Sequence, residues 1–271
     1  MNTQYQDFYE KLWAYYETHG RHDLLWRQPE PNGSFISYKI MVSEIMLQQT
    51  QVSRVGPKYT EFLVRFPTVR SLAEAPLGDV LRVWQGLGYN RRAKFLWQAA
   101  QKVVNDFDSV LPNTEVDLVS LPGIGRNTAG AILAYAFNKP AVFIETNIRT
   151  VYIHHFFADK QGIDDKDLIP HIERTLDTDQ PRVFYWALMD YGTYLKQEKG
   201  NLNKLSKSYV KQSKFHGSKR QVRGAVIRLL SQNSLTYADL LNAIQDERLD
   251  IILNDLLAEG LIAKSGESYV L

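Results

Sequence analysis

The sequence contains no cysteine among its 271 residues. This absence excludes disulfide bonds, thiol catalysis and any zinc or iron–sulfur centre bound by thiolates, and it is consistent with a reducing compartment. No apolar run approaches the roughly 20 residues that a membrane-spanning helix needs. The formal net charge is only +2. Information about partners therefore has to come from how the charges are distributed along the chain.

Acidic residues are nearly absent between Lys196 and Arg223, where nine lysines and arginines accompany a single acid, Glu198. A charge band of this kind usually marks a solvated linker. Tyr209 and Phe215 lie within the band, and basic side chains interspersed with aromatic rings also suit a nucleic-acid backbone. Composition does not choose between a linker and a phosphate-binding segment, so both interpretations stay open.

Strand-like alternation is also nearly absent before about residue 196, whereas apolar residues recur at the 3.6-residue spacing of helices. We therefore predict a mainly α-helical fold for this part of the chain. The clearest helical segments are residues 8–16, 62–66, 80–87 and 93–107. Short breaks between helices are predicted at residues 29–34, Pro57, 86–88 and 112–114.

The tail from residue 218 has a different plan. The segment RQVRGAVIRLLSQ predicts one helix, and TYADLLNAI predicts a second that opens with Thr236 as N-cap and Asp239 as the partner in a capping box. RLDIILNDLLAEGLI predicts a third helix that stops at Gly260, and IAKSGESYVL predicts two short strands. Three helices and a terminal hairpin indicate a small winged-helix-like domain. Such domains bind DNA or protein, and the sequence does not choose between the two.

The segment VDLVSLPGIGRNTAGAILAYAF predicts a helical hairpin that binds an anion. A short helix ends near Leu121, a turn with Gly123 and Gly125 follows, and a helix rich in small residues begins at once. Glycines allow positive φ and close approach of an outside backbone, while the free amides at a helix N-terminus favour an anion. An ordinary αα-hairpin also contains glycine. Two glycines with Arg126 beside them favour contact with a phosphate backbone.

The segment MVSEIMLQQTQV carries a carboxyl group among apolar residues. At helical spacing, Glu44 shares a face with Met41, Ile45 and Gln48. Apolar surroundings favour the protonated form of a carboxyl group, which makes Glu44 a candidate general acid. The alternative is a surface glutamate on an amphipathic helix.

Together, LPGIGRNTAG, VSEIMLQQTQV, VWQGLGYNRRAKFL and LLWR resemble the helix-hairpin-helix DNA glycosylase superfamily, and within it the MutY-like adenine glycosylases, over about residues 5–195. The resemblance implies the helix-hairpin-helix glycosylase fold with two helical subdomains. The expected division is a helical barrel at about 29–135, a second lobe from 1–28 and 136–196, a basic linker at 197–217 and the winged-helix-like domain at 218–271.

The resemblance also implies a reaction, in which a nucleotide is flipped out of the duplex and its N-glycosidic bond is broken. Glu44 takes the place of the general acid that protonates adenine. Glu145, in FIETNIRTV, stands where the family has an aspartate that stabilises the sugar cation or activates water. Glu145 is one methylene longer than that aspartate, and capping the following helix is its structural alternative. Asn127 replaces the lysine of the lyase branch, so a monofunctional enzyme is implied.

The resemblance further assigns DNA contacts to the hairpin and to two segments that wedge into the duplex and face the opposite strand. Amides and a planar ring suit this work because they hydrogen-bond or stack on exposed bases. Core packing is the alternative for Leu87. The implied DNA-binding residues are Gln48, Gln49, Thr50, Leu87, Gly88, Tyr89, Arg91, Leu121, Gly123, Ile124, Gly125, Arg126, Asn127 and Thr128.

Most relatives carry an iron–sulfur cluster after the segment that corresponds to MDYG, but this chain has no cysteine there, so we expect no such cofactor. The tail is also too short for the Nudix-like domain with which MutY relatives recognise 8-oxoguanine. A monovalent cation held by hairpin carbonyls is implied by the resemblance. His154 and His155 lack a third ligand at a recognisable spacing, which favours packing over a metal site.

We therefore predict a monofunctional DNA glycosylase of base excision repair that releases adenine mispaired with 8-oxoguanine or guanine. One alternative is a glycosylase for a different mismatched or damaged base, and another is a non-catalytic DNA-binding protein. The expected partner is double-stranded DNA with a mismatched or damaged base. We also expect a monomer in the cytoplasm, associated with the nucleoid and without a membrane partner.

Overall fold

The computed structural model describes residues 3–212 and 214–271. The described chain is mainly helical, which confirms the predicted fold class. Contacts divide it into two compact units, and no helix in the described ranges is long and apolar enough to cross a bilayer. The first unit contains the N-terminal residues through Ile40, Asn113–Val119 and Ile124–Lys211, and the second contains Met41–Pro112, Ser120–Gly123 and Gln212–Leu271. The boundaries expected from the resemblance stay a prediction.

The first unit is built around two helices, α9 (Thr146–Phe156) and α11 (Pro181–Lys199), which pack closely against each other. Gly192 of α11 allows this contact, because a Cβ at that position would collide with the carbonyl oxygen of Asn147 on α9. The other helices of the unit are α1 (Thr3–His19), the 3₁₀ helix Leu25–Arg27, α7 (Glu115–Val119), α8 (Arg126–Phe137), α10 (Asp165–Thr175) and the 3₁₀ helix Leu202–Leu205.

A buried ion cluster fixes the N-terminal segment LLWR in the first unit. Arg27 donates to both carboxylate oxygens of Asp190, at 2.7 and 2.9 Å, and Arg21 Nε donates to the same carboxylate at 2.7 Å. Burial by itself raises the pKa of Asp190, but the hydrogen bonds and charges of the two arginines outweigh it and hold the pKa below its ordinary value. Removing one of these partners would leave a buried charge uncompensated, which strongly destabilises the folded state.

The second unit begins within α2 (Ser37–Leu47), whose residues from Met41 onward belong to it. Its centre is α6 (Arg91–Asp106), which buries Leu96, Ala99, Ala100 and Val103 completely, on the face that the spacing predicts. The remaining helices of its first part are α3 (Val52–Arg65), α4 (Val69–Ala73) and α5 (Leu77–Val83).

Two local predictions are wrong. Pro57 lies inside α3 instead of separating two helices. Proline removes one helical hydrogen bond, but Pro57 and Ser53, whose carbonyl that bond would use, are both exposed, so water can satisfy the carbonyl. The helix predicted over residues 80–87 ends at Val83, and a turn follows in which Gly86 and Gly88 have φ values of 95° and 72°.

The segment predicted as a basic linker starts with ordered residues. Helix α11 continues to Lys199, and the 3₁₀ helix after it packs on α9. Asn203 is buried there and donates to Thr150 Oγ1 at 2.8 Å and to the Thr146 carbonyl at 3.2 Å. These contacts explain why a stretch with little apolar content is held in the first unit: polar bonds replace hydrophobic ones.

The C-terminal module has the three helices and the terminal hairpin that the sequence predicts. In the capping box, Thr236 Oγ1 accepts from the Asp239 amide at 3.3 Å, and the Asp239 carboxylate accepts from the Thr236 amide at 3.0 Å. A two-residue strand ahead of the second helix was not predicted. The elements are α12 (Lys219–Leu230), β1 (Leu235–Thr236), α13 (Tyr237–Ile244), α14 (Leu249–Ala258), β2 (Ala263–Ser265) and β3 (Ser268–Val270), with the antiparallel sheet order β1-β3-β2.

Asp190→Asn is expected to lower the free energy of unfolding by about 3–5 kcal/mol, because it leaves the buried Arg27 without its counter-charge. Urea denaturation at neutral pH measures the change. Asp79→Asn is the matched control, since Asp79 pairs at 2.6 Å with a half-exposed Arg82, and the expected loss there is below about 1 kcal/mol. Equal losses in the two variants would contradict the structural role of the Arg27–Asp190 pair.

Candidate active site and nucleic-acid interface

Glu44 lies in the second unit, one turn before the end of α2. Residues 40–43, 45 and 46 are all buried, whereas Glu44 is half-buried. A helix turn packed on nearly all sides is rigid. Glu44 is thus the one partly accessible residue on a fixed helix turn.

Glu145 lies in the first unit at the N-cap position of α9, in extended conformation. Its side chain makes no capping hydrogen bond, so the structural alternative of a side-chain cap is not the arrangement seen here. Burial raises the pKa of Glu145 to about 6. A carboxyl group with this pKa is mostly ionised at neutral pH and close to its titration range.

Asn127 fixes the backbone that leads into Glu145. Its side-chain amide donates to the carbonyl of Ile144 at 2.9 Å and accepts from the amide of Ile144 at 3.2 Å. Three residues along α8, Gly130 has no side chain, and a Cβ there would lie 2.8 Å from the Cβ of Phe143. Helix α8 therefore lies directly against the peptide that precedes Glu145. The predicted DNA contact of Asn127 stays a prediction beside this observed role.

Two residues of the predicted wedge segments adopt left-handed backbone conformations. Gln49 has φ 54° and follows α2, and Tyr89 has φ 48° and precedes α6. Positive φ is uncommon outside glycine and costs on the order of 1 kcal/mol or more per residue. Such conformations persist only where neighbouring contacts hold them in place.

Arg92 supplies those contacts. Its guanidinium group is buried and donates to both segments at once. The C-terminal carbonyls of a helix lack intrahelical donors and carry partial negative charge, so a cation suits them. Burial lowers the pKa of Arg92 to about 10, which leaves it charged at neutral pH. Nη1 donates to the carbonyls of Ile45 (2.9 Å), Met46 (2.9 Å) and Gln48 (2.6 Å), and Nη2 to Thr50 Oγ1 (3.0 Å) and the carbonyls of Leu87 (3.1 Å) and Gly88 (3.1 Å).

Sequence reasoning selected Arg91 and missed Arg92. Arg91 is exposed; its guanidinium carbon is 5.4 Å from the Phe95 ring centroid, and its Nε lies 3.9 Å from the Glu259 carboxylate. Arg92 precedes the fully buried Leu96 by four residues and therefore shares its inward face. An arginine on an otherwise apolar helix face was the signal that could have found it.

The other predicted contact residues fall into a buried and an accessible group. Leu87, Leu121 and Ile124 are at most 4% exposed, and for Leu87 this corresponds to the packing alternative. The half-buried ones are Gln48, Thr50 and Thr128, and the exposed ones are Gln49, Gly88, Tyr89, Gly123, Gly125, Arg126 and Asn127.

The hairpin between α7 and α8 has the predicted turn. Gly123 has φ 77°, a backbone conformation that favours glycine. A Cβ there would also lie 2.6 Å from the Cβ of Phe95, so the available space requires glycine as well. Gly125 is the N-cap of α8 and offers no capping side chain, which leaves first-turn amides available to an anion. The monovalent cation that the resemblance implies at the hairpin carbonyls stays a prediction.

His155 is a packing residue. Its ring lies edge-on to Phe8 with centroids 5.4 Å apart, and its Nε2 is 3.2 Å from the Tyr191 hydroxyl. Burial lowers the pKa of His155 to about 4, so the ring is neutral at physiological pH. Across the described part of the chain, no group of three or more His, Cys, Asp or Glu residues is placed to hold a metal ion.

Comparison with known proteins identifies relatives of this sequence. The sequence profile described as "HhH-GPD superfamily base excision DNA repair protein" matches residues 42–175, which include both Glu44 and Glu145. An adenine DNA glycosylase of Mycolicibacterium smegmatis is 32% identical over 279 residues, covering 95% of this chain and 93% of the relative.

An adenine DNA glycosylase of Buchnera aphidicola subsp. Baizongia pistaciae is 36% identical over 192 residues, covering 69% of this chain. The match covers 52% of that relative, so this chain spans about half its length. Among solved structures, a thermostable thymine-DNA glycosylase superposes with a TM-score of 0.61 at 24% identity, over 75% of this chain and 95% of that one. This likeness supports the fold.

Arg92→Met is expected to lower the free energy of unfolding by about 2–4 kcal/mol, because several buried carbonyls lose a charged donor together. Hydrogen exchange of the amides at residues 86–90 should accelerate more than exchange elsewhere. Arg91→Met is the matched control, since it removes the same charge from an exposed neighbour. Unchanged exchange at residues 86–90 in Arg92→Met would show that Arg92 does not hold the loop.

Glu145→Gln is expected to stabilise the protein above about pH 6. Because the folded-state pKa is raised, the stabilising contribution of the protonated group is complete below the unfolded-state pKa and is lost as pH rises through about 6. The variant should therefore gain about 1–2 kcal/mol over the wild type between acidic and neutral pH. Urea denaturation across this pH range measures the difference, and a difference independent of pH would refute the assigned pKa.

Proposed function

This chain belongs to the adenine DNA glycosylase family within the HhH-GPD superfamily of base excision DNA repair proteins, and we propose that it flips adenine out of duplex DNA and hydrolyses its N-glycosidic bond. The observation that carries the proposal is the pair of carboxyl groups, Glu44 and Glu145, inside the region that matches the superfamily. The backbone of Glu44 is fixed by buried neighbours, and the peptide ahead of Glu145 is held by two hydrogen bonds to Asn127.

In this proposal, Glu44 is the general acid. A purine anion is a poor leaving group, so protonating the base as the bond breaks lowers the barrier. The rigid, half-buried position of Glu44 on α2 supports this role. A fixed carboxyl group gives the proton a defined direction, and a well-oriented donor contributes more than a mobile one.

In the same proposal, Glu145 supplies a negative charge that faces the cationic sugar. Bond cleavage leaves an oxocarbenium-like sugar, which an ionised carboxylate stabilises or supplies with an activated water. With a pKa of about 6 the group is mostly ionised at neutral pH. Its partly buried position strengthens the electrostatic effect, because the surrounding dielectric is lower than that of water.

The reaction is monofunctional in this proposal. The lyase branch attacks the sugar with a lysine amine, which forms a Schiff base. Asn127 occupies that position and has no nucleophilic nitrogen. Its amide is already engaged with the peptide of Ile144. Water is therefore the nucleophile, and the product is an abasic site with an intact strand.

The proposed substrate is adenine opposite 8-oxoguanine or guanine. Gln49 and Tyr89, both exposed, support contact with the opposite strand because they offer an amide and a ring to exposed base edges. A different lesion is the second candidate, favoured by the extra methylene of Glu145 relative to the family aspartate. A longer side chain places the carboxylate differently, which suits a base that sits differently in the pocket.

The test is a panel of fluorescent duplexes that carry A·8-oxoguanine, A·G, T·G, U·G or 8-oxoguanine·C, each treated with alkali after incubation. Strand breaks confined to the adenine strand, and present only after alkali, are the expected result. Breaks before alkali would contradict the monofunctional assignment. Cleavage of another duplex would favour the second candidate, and tight binding without any cleavage would leave only a DNA-binding protein.

Glu44→Gln and Glu145→Gln are each expected to reduce single-turnover excision by at least about 100-fold, the scale of general acid–base and electrostatic contributions. The wild-type rate should rise with pH through about 6 as Glu145 ionises, and this rise should be absent in Glu145→Gln. Glu61→Gln, on the exposed side of α3, is the control and should keep full activity. Full activity in Glu44→Gln would overturn the mechanism while leaving the enzyme class intact.

A further inference from the structure

The C-terminal module is docked on α5 and α6 at three separate points of the second unit. Arg82 Nε on α5 donates to the Ser231 carbonyl at 3.2 Å, and Lys94 Nζ on α6 donates to the Glu259 carbonyl. Near the start of α5, Gly78 is buried, and a Cβ there would lie 3.3 Å from the carbonyl oxygen of Leu271. Three points of attachment define an orientation, so the module is not a freely tethered domain.

This docking brings the first turn of α12 to Tyr89. Arg220 Nη1 donates to the Tyr89 hydroxyl at 2.5 Å, and its guanidinium carbon lies 5.4 Å from the ring centroid. Gln212 hydrogen-bonds the same hydroxyl and also donates to Gln49 Oε1 at 3.3 Å. Arg220 and Gln212 therefore contact the two wedge-segment residues that have positive φ.

The contacts of Arg220 and Gln212 reach the exposed ends of these two side chains. Tyr89 is 37% exposed, and Gln49 is exposed. Hydrogen bonds at such positions add little to global stability, and the module is already attached at other points. What they determine is the direction in which the Tyr89 ring and the Gln49 amide point.

We propose that the C-terminal module is part of the surface that reads the base opposite the flipped nucleotide. Arg220 and Gln212 act as positioning residues that hold Tyr89 and Gln49 toward that base. The inference rests on the proposed function, because the opposite base has meaning only for an enzyme that flips its partner.

The chemistry of this surface identifies the base it favours. Gln49 presents its side-chain N–H donors beside the Tyr89 ring, because its oxygen accepts from Gln212. Guanine and its oxidised form both present the O6 acceptor, whereas cytosine presents an amino donor. A donor held at this place therefore favours a guanine-type base over cytosine. In this proposal the C-terminal module contributes to specificity.

The test measures binding, so that cleavage does not interfere. The full chain is titrated with duplexes in which non-hydrolysable 2′-fluoroadenosine faces 8-oxoguanine, guanine or cytosine. The wild type should prefer the guanine-type duplexes by about tenfold or more, the scale of one good base contact. Arg220→Ala should reduce this preference by about fivefold or more.

Arg228→Ala is the matched control because Arg228 is exposed on the same helix, two turns away. It removes an equal charge and should weaken all duplexes alike, leaving the preference unchanged. Arg220→Lys, which keeps a cationic donor, should restore part of the preference. Tyr89→Phe should reproduce the loss, and adding Arg220→Ala to it should produce no further loss if the hydroxyl is the point of action.

Gln212→Ala removes a donor to the same hydroxyl without changing α12. This variant tests the proposal if Arg220→Ala does not fold. A preference unchanged within about twofold in both variants, or a wild type with no preference, would overturn the proposal. Failure of the proposed function would give a different result from failure of this proposal. A wild type that discriminates between these duplexes but never releases adenine from cleavable ones would refute the enzyme assignment and keep the reading surface.

Discussion

The second unit depends on one buried guanidinium group. Arg92 joins the last carbonyls of α2 to the loop before α6, two segments that are far apart in the sequence. The same clamp sets the candidate acid, because Glu44 lies within a turn of the carbonyls that Arg92 binds. Acid and wedge segments are therefore parts of one rigid assembly. A shift of the loop before α6 would be felt at Glu44, which is the arrangement that precise positioning of a proton donor requires.

The first unit follows the same principle with different chemistry. There an amide, Asn127, holds a single peptide, and the carboxyl group of Glu145 emerges directly after it. Burial keeps that carboxyl group close to its titration range. The ionised form of Glu145 is therefore unfavourable in the folded state. Groups that serve a function often lower the stability of the fold in this way. The Arg27–Asp190 cluster contributes the compensating rigidity in the same unit.

Features encoded locally could be predicted from the sequence, and features that depend on distant contacts could not. The Thr236 capping box, the glycine turn of the hairpin and the inward face of α6 each involve residues within one or two turns. The helix through Pro57 depends on the exposure of Ser53, and β1 exists only because β3 pairs with it. Arg92 was missed because its partners are up to 47 positions away. Docking of the C-terminal module involves separations larger still.

The two hydrogen bonds between Asn127 and the Ile144 peptide have a consequence for substitution at this position. An exchange of Asn127 for lysine would supply the amine that a lyase reaction needs. In this chain the exchange would remove the acceptor of the Ile144 amide as well as add a nucleophile, because an ammonium group donates but does not accept. The peptide ahead of Glu145 would lose its support in the same step. Under the proposed function, the water-dependent reaction and the support of this peptide are linked through one side chain.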